Sequence, residues 1–245
     1  MLFIQATAEK LRNTKDTKFI DYLVCFVFNA FPVMKKKILA DPDYGLAFNP
    51  RSLGLEEFPR DFFRLETTTV ARDIIGSWFA RRHQGKWYSA RIVETEAYLG
   101  TDDAAAHSWR GRRTRRVEPM YLDGGHLYVF FVYGMHCCAN IVTQPAGIAQ
   151  AVLLRAAEGP EGSPPRLLSG PGRFCSALGI TTESSGVDLL SNEDFRLFRA
   201  RAAPGKIGVS KRIGVDYAGE AADWPLRFFE LDSPAVSGPA RLRKG

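Results

Sequence analysis

The stretch RIVETEAYLG, residues 91–100, sets two carboxylates, Glu94 and Glu96, two positions apart in a run that otherwise has the composition of a β-strand. Side chains along a strand alternate between its faces, so this spacing aims both acids the same way, together with Tyr88, Ala90 and Ile92. An apolar face that turns acidic at the end of its strand has two readings. In one, the strand emerges into solvent or its acids pair with nearby arginines. In the other, the strand walls a cleft in which one partly desolvated carboxylate acts as a general base. The spacing alone leaves both open.

The neighbours bear on the choice. Tyr98 and His107 follow closely and are planar, and RGRRTRR, residues 110–116, packs five arginines into seven positions. Such a run is either a solvated face or a grip on a phosphate backbone. LYVFFVYGM then places Tyr128, Phe130 and Tyr133 near a strand end at Gly134, where a ring at a hairpin tip is free to wedge between bases. An acid, flat stacking groups, a cationic segment and an aromatic wedge are what an enzyme needs to act on a base taken out of a duplex.

These residues need elements to hold them. TTTVARDIIGSWFARR has a helical rhythm that loosens into a strand after Gly76, and KWYSARIVETEAYL alternates as a strand. GGHLYVFFVYGMHCCANIVT and IAQAVLLRAAEG are further β-rich runs, and RLLSGPGRFCSALGI combines a Gly/Pro loop with an amphipathic helical segment. The tail from Trp224 reads as a strand followed by a solvated end. A boundary is expected between about Gly45 and Pro59, separating an extension over 1–57 from a domain over 58–245.

With 245 residues, 45% of them hydrophobic, the chain can bury a core, and a net charge of +6 favours an anionic partner. Four unpaired-looking cysteines suggest a reducing, intracellular compartment. The apolar run Phe19–Val33 contains Asp21 and stops at about fifteen residues, too short to span a bilayer. Met34, ahead of a lysine run, is a candidate alternative start.

The segments RIVETEAYLG, AAAHSWRGRR, GHLYVFFVYGMHCCANIVT, AVLLRAAEG and LLSGPGRFCSALGI, in that order between about Phe58 and Leu231, resemble the alkyladenine (3-methyladenine) DNA glycosylases. The resemblance implies a single α+β domain with a curved antiparallel sheet, flanking helices and a protruding β-hairpin. It implies excision of alkylated or deaminated purines from double-stranded DNA by a monomer that needs no metal or other cofactor, located with DNA in the bacterial cytoplasm or the nucleus. By motif, Glu96 corresponds to the general base and Arg155 to a residue that helps hold the catalytic water, whereas Glu94 is structural. Tyr98, His107 and Phe130 line the base, Asn140 screens purines, and Tyr133 enters the duplex. Arg112, Arg113 and Arg116 are expected at phosphate; read from the residues alone, Lys211 and Arg212 in SKRIGV are either further phosphate contacts or an exposed edge-strand charge pair. The chain departs from the family pattern at Phe130, often a tyrosine in relatives, and at Val117, which stands where an asparagine is common.

His126 and His136 beside Cys137 and Cys138 invite a metal assignment, but adjacent strand residues point to opposite faces and cannot converge on one ion. Two rival functions remain on the sequence: a catalytically silent nucleic-acid-binding module of the same fold, and a carbohydrate hydrolase using Glu94 and Glu96.

Overall fold

A computed structural model of the chain describes residues 45–239 apart from 133, 135 and 203. Most of the expected extension, including Phe19–Val33 and Met34, lies outside the described residues, as does Tyr133. Residues 45–57 lie along the sheet: Leu46 is buried, Ala47 bridges Tyr88 and Glu57 bridges Phe198.

The described residues form an antiparallel sheet built on β1 (Trp78–His83), β2 (Lys86–Tyr98), β3 (Leu127–Val132), β4 (His136–Thr143), β5 (Gln150–Glu158), β6 (Leu168–Ser169), β7 (Phe195–Phe198), β8 (Ile207–Ser210) and β9 (Arg227–Glu230). The main path runs β3-β4-β5-β2-β1-β7, with β6 against β5 and the β8–β9 pair joined to β2. A single α+β domain of this kind was expected from the sequence. β1 and β2 meet through Gln84-Gly85, whose φ values of 49° and 77° make the tight turn that suits the twist of a hairpin.

Helices α1 (Arg60–Phe63), α2 (Thr67–Asp73) and α3 (Pro171–Ala177) contribute to the core. Val70, Ala71 and Ile74 from the α2 region and Phe174, Cys175 and Leu178 from the α3 region join Ala90, Ile92, Ala97, Val129, Ile141, Val152 and Leu154 in one apolar cluster. The opposite face carries Tyr128, Val142 and Ala151 under the 3-10 segment Glu118–Tyr121, with Val117 and Met120 packed on them.

Strict alternation does not hold along β2. Ile92 pairs with Ala157, but Glu94 pairs with Ala156 and Thr95 with Leu154, so Val93 is an extra residue on β2 and Arg155 one on β5. Such bulges let two consecutive side chains share a side of the sheet. Ile92 therefore enters the main core, Val93 packs with Ala156, Phe229, Ala235 and Val236, and Thr95 returns to the helical side, donating to Ala71 O at 2.7 Å. Glu94 does not share a face with Ile92, as its spacing suggested. The paired bulges bring Glu94, Arg155 and Glu96 together opposite the main core.

The tail also departs from expectation. The first residues after β9 are not solvated: Ser233, Ala235, Val236 and Ser237 are all buried, while residues 240–245 lie outside the described residues.

Candidate active site

Glu94 and Glu96 are both completely buried. Glu94 Oε1 accepts from Arg155 Nε at 3.0 Å, Arg227 Nε at 2.7 Å and Ser237 Oγ at 2.9 Å, and its Oε2 accepts from the Ser237 amide at 2.6 Å. Burial on its own would raise its pKa, yet the guanidinium groups of Arg155 and Arg227 and the Ser237 amide hold the carboxyl below the usual value. Every acceptor direction on one oxygen is taken, which suits a fixed structural anion.

Glu96 is differently placed. Its Oε1 accepts from the Ile213 amide at 2.8 Å and faces Arg155 Nη1 at 3.1 Å, while Oε2 accepts from the Tyr98 hydroxyl at 3.0 Å. Burial, then the charge of Glu96, push the Tyr98 phenol well above its ordinary range, so it stays a donor. Oε2 thus retains an acceptor position to which the described residues supply no donor.

Arg155 joins the two acids. It is nine-tenths buried or more, and although burial lowers its pKa, Glu96 and Glu94 raise it above the ordinary guanidinium value. Cys138 lies on the same face of β4 as Asn140, and burial pushes its thiol up to about 11, so it is a neutral wall residue. Asn140 is buried and its amide donates to Tyr128 O at 3.0 Å.

On β3, Tyr128 and Phe130 point to this same side. His107 Nδ1 lies 2.7 Å from the Tyr128 hydroxyl, and its ring meets Phe130 edge-on at 4.4 Å. Burial, with Arg116 and Arg112 adding to it, lowers the His107 imidazole to about 4, so the ring is neutral at physiological pH. Phe130 has no hydroxyl of its own, and in this chain Tyr128 provides the one that orients His107. The signal for Tyr128 was its period-two relation to Phe130 in LYVF.

A cavity of about 420 Å³ opens beside His107, bounded also by Ala105, Trp109, Arg112, Tyr217 and Gly219. That size falls in the usual range of small-molecule sites, about 300–1,000 Å³. Glu96, Tyr98 and Asn140 do not line it.

The arginine run lies over aromatic rings: Arg110 covers Trp109 at 4.3 Å, Arg113 covers Tyr121 at 4.5 Å and Arg116 covers Phe130 at 5.7 Å. Arg112 and Arg116 are exposed, Arg116 donating to Phe131 O, and Arg113 is forked onto the exposed Glu118. Val117 is buried in the cluster beneath this segment, so its side chain anchors the run. Lys211 is exposed and 3.4 Å from Asp223.

Arg212 is not a phosphate contact. Its side chain is fully buried and paired with Asp103 through both terminal nitrogens, at 2.5 and 2.8 Å. Arg227, Ser237, Asp103 and the Ile213 amide are site components that motif reading passed over. Arg227, Ser237 and Ile213 are each remote in sequence from the carboxylate they serve, and Asp103 is remote from its partner Arg212.

Residues 61–234 match the profile of methylpurine-DNA glycosylase. A chain from Desulfitobacterium hafniense is 42% identical over 204 residues, covering 75% of this chain and 99% of its own length. Another from Bdellovibrio bacteriovorus is 42% identical over 193 residues, covering 73% and 97%, and one from Methanocella arvoryzae is 41% identical over 191 residues, covering 73% and 94%. All three bear the provisional name 3-methyladenine DNA glycosylase. The chain belongs to the methylpurine-DNA glycosylase family.

Family membership identifies the chain as a DNA glycosylase and makes DNA its class of substrate. A silent binding module is correspondingly not favoured. No helix among the described residues is long and apolar enough to cross a membrane.

Proposed function

We propose that this glycosylase everts alkylated or deaminated purines, of the 3-methyladenine, 7-methylguanine and hypoxanthine kind, and hydrolyses the N-glycosidic bond with water activated by Glu96. The observation that carries the reading is the uncommitted acceptor position on a buried carboxylate otherwise held by Arg155, Ile213 and Tyr98. Water held there gives its proton to Glu96 as its oxygen bonds to C1′, and the electron pair of the breaking bond leaves with the purine. The sugar carries positive charge in the transition state, and a fixed anion beside C1′ stabilises it. Arg155 steadies Glu96 and so the water.

Tyr98, neutral His107 and Phe130 supply ring surface, which attracts an electron-poor alkylated purine by cation–π forces of about 0.5–2 kcal/mol. Asn140 crowds the exocyclic amine of normal guanine. Tyr133 fills the gap in the duplex, and Arg112, Arg113, Arg116 and Lys211 neutralise phosphates. Because Glu96 has no exposed surface, a base must displace wall side chains to reach it; the cavity beside His107 is the opening from which that displacement starts. The protein works as a monomer. The test is release of free bases from duplexes bearing alkylated, deaminated and etheno purines. Release of none of them would refute the reading.

A further inference from the structure

Arg212 has no role in the motif reading once its burial removes it from phosphate. Its contacts converge on Glu96 from two directions. Its guanidinium lies 4.7 Å over the Tyr98 ring, and Tyr98 donates to Glu96 Oε2. The next residue, Ile213, gives its amide to Glu96 Oε1 at 2.8 Å. Two of the three groups that hold the Glu96 carboxylate are therefore attached to Arg212 by stacking or by the backbone.

Arg212 is itself fixed on all sides. Nη1 donates to Ala97 O and Nη2 to Ala221 O, each at 3.0 Å, while both reach Asp103. The oxygens of Asp103 also accept the amides of Leu99 and Ala105 at 3.0 Å, which ties down the loop running from Tyr98 toward His107. A planar fork is required for this set of bonds, and a lysine has only one nitrogen to offer. Its Nε makes no hydrogen bond although it is buried, a cost that the arrangement tolerates.

We infer that the Asp103–Arg212 pair is a positioning device for catalysis: it sets the Ile213 amide and the Tyr98 hydroxyl on Glu96, and so aims the free acceptor position of that carboxylate at the reacting water. This rests on the proposed role of Glu96.

The test compares Arg212→Lys and Asp103→Asn with wild type, using a duplex carrying one hypoxanthine. Single-turnover base release at saturating protein is measured alongside the Kd for the same duplex and the thermal midpoint. Asp188→Asn serves as the control, because it breaks a partly buried pair with Arg60 remote from Glu96. The expected result is a rate at least tenfold slower in both site variants, a Kd within threefold of wild type, and an Asp188→Asn rate close to wild type even when its midpoint falls. If one site variant does not fold, the other decides alone. A wild-type rate in a folded site variant overturns the inference, and so does an equal slowing in Asp188→Asn. Glu96→Gln, run in parallel, separates the two claims: full release by that variant overturns Glu96 as base, whereas its inactivity beside unimpaired Asp103→Asn overturns the positioning role alone.

Discussion

Arg155 faces both carboxylates of β2, with Nε 3.0 Å from Glu94 Oε1 and Nη1 3.1 Å from Glu96 Oε1. One guanidinium thus links an acid held by four contacts to an acid held by three. The two residues of ETEAY have opposite expected sensitivities as a result.

Glu96→Gln keeps the shape of the side chain and loses the proton acceptor. A general base contributes about 10²–10⁴-fold to a rate, so base release from a hypoxanthine duplex falls by at least 100-fold while affinity for that duplex changes little. Single-turnover kinetics with gel-shift titration checks this, and release at the wild-type rate would refute the base assignment.

Glu94→Gln acts chiefly on folding. Removing the charge leaves Arg155 and Arg227 facing a neutral group in a buried site, and breaking such an arrangement costs about 3–5 kcal/mol. Urea unfolding should show a lower midpoint at an unchanged slope. A loss below about 1 kcal/mol would show that the tail and β9 tolerate the change, contrary to this account.

Stability should fall with acid below neutrality. The folded His107 takes up its proton only near 4, against 6.5 for an unperturbed ring, because burial and the neighbouring arginines oppose the charge. Between those values the unfolded chain binds more protons, so stability is complete above about pH 6.5 and declines as pH drops toward about 4. After allowance for partial exposure the contribution is about 1–2 kcal/mol. Unfolding free energies at pH 7.5 and pH 5 measure it, and His107→Gln should flatten the difference between them; an identical decline in that variant assigns it elsewhere.

Cations that bind phosphate reveal themselves through salt. Removing one of them reduces the slope of log affinity against log salt by about 0.9, so Arg112→Ala and Arg116→Ala each give a shallower line. Arg113→Ala changes it less, because Glu118 already engages that guanidinium. Equal slopes for wild type and Arg116→Ala would remove Arg116 from the interface.

The amino-acid order alone determined which side chains were worth watching, and much of the scaffold. Helical rhythm in TTTVARDII, alternation in KWYSARIV and in LYVF, and the turn residues between them are local patterns, and α2, β2 and β3 follow them. The motif order around Glu96, His107, Asn140 and Arg155 was equally readable, since each lies in a contiguous segment. Tertiary structure alone decided how those groups face. The extra residue Val93 has meaning only against Arg155 on the neighbouring strand, and without that pairing Glu94 was placed on the wrong side of β2. Arg212 looked like a surface cation because its partner Asp103 is 109 positions away, and the tail looked solvated because Ser237 meets Glu94 across 143. Periodicity records what a residue's near neighbours require of it. Bulges and buried charge pairs are settled between segments that meet only after folding, where an uncompensated ion costs too much to leave alone.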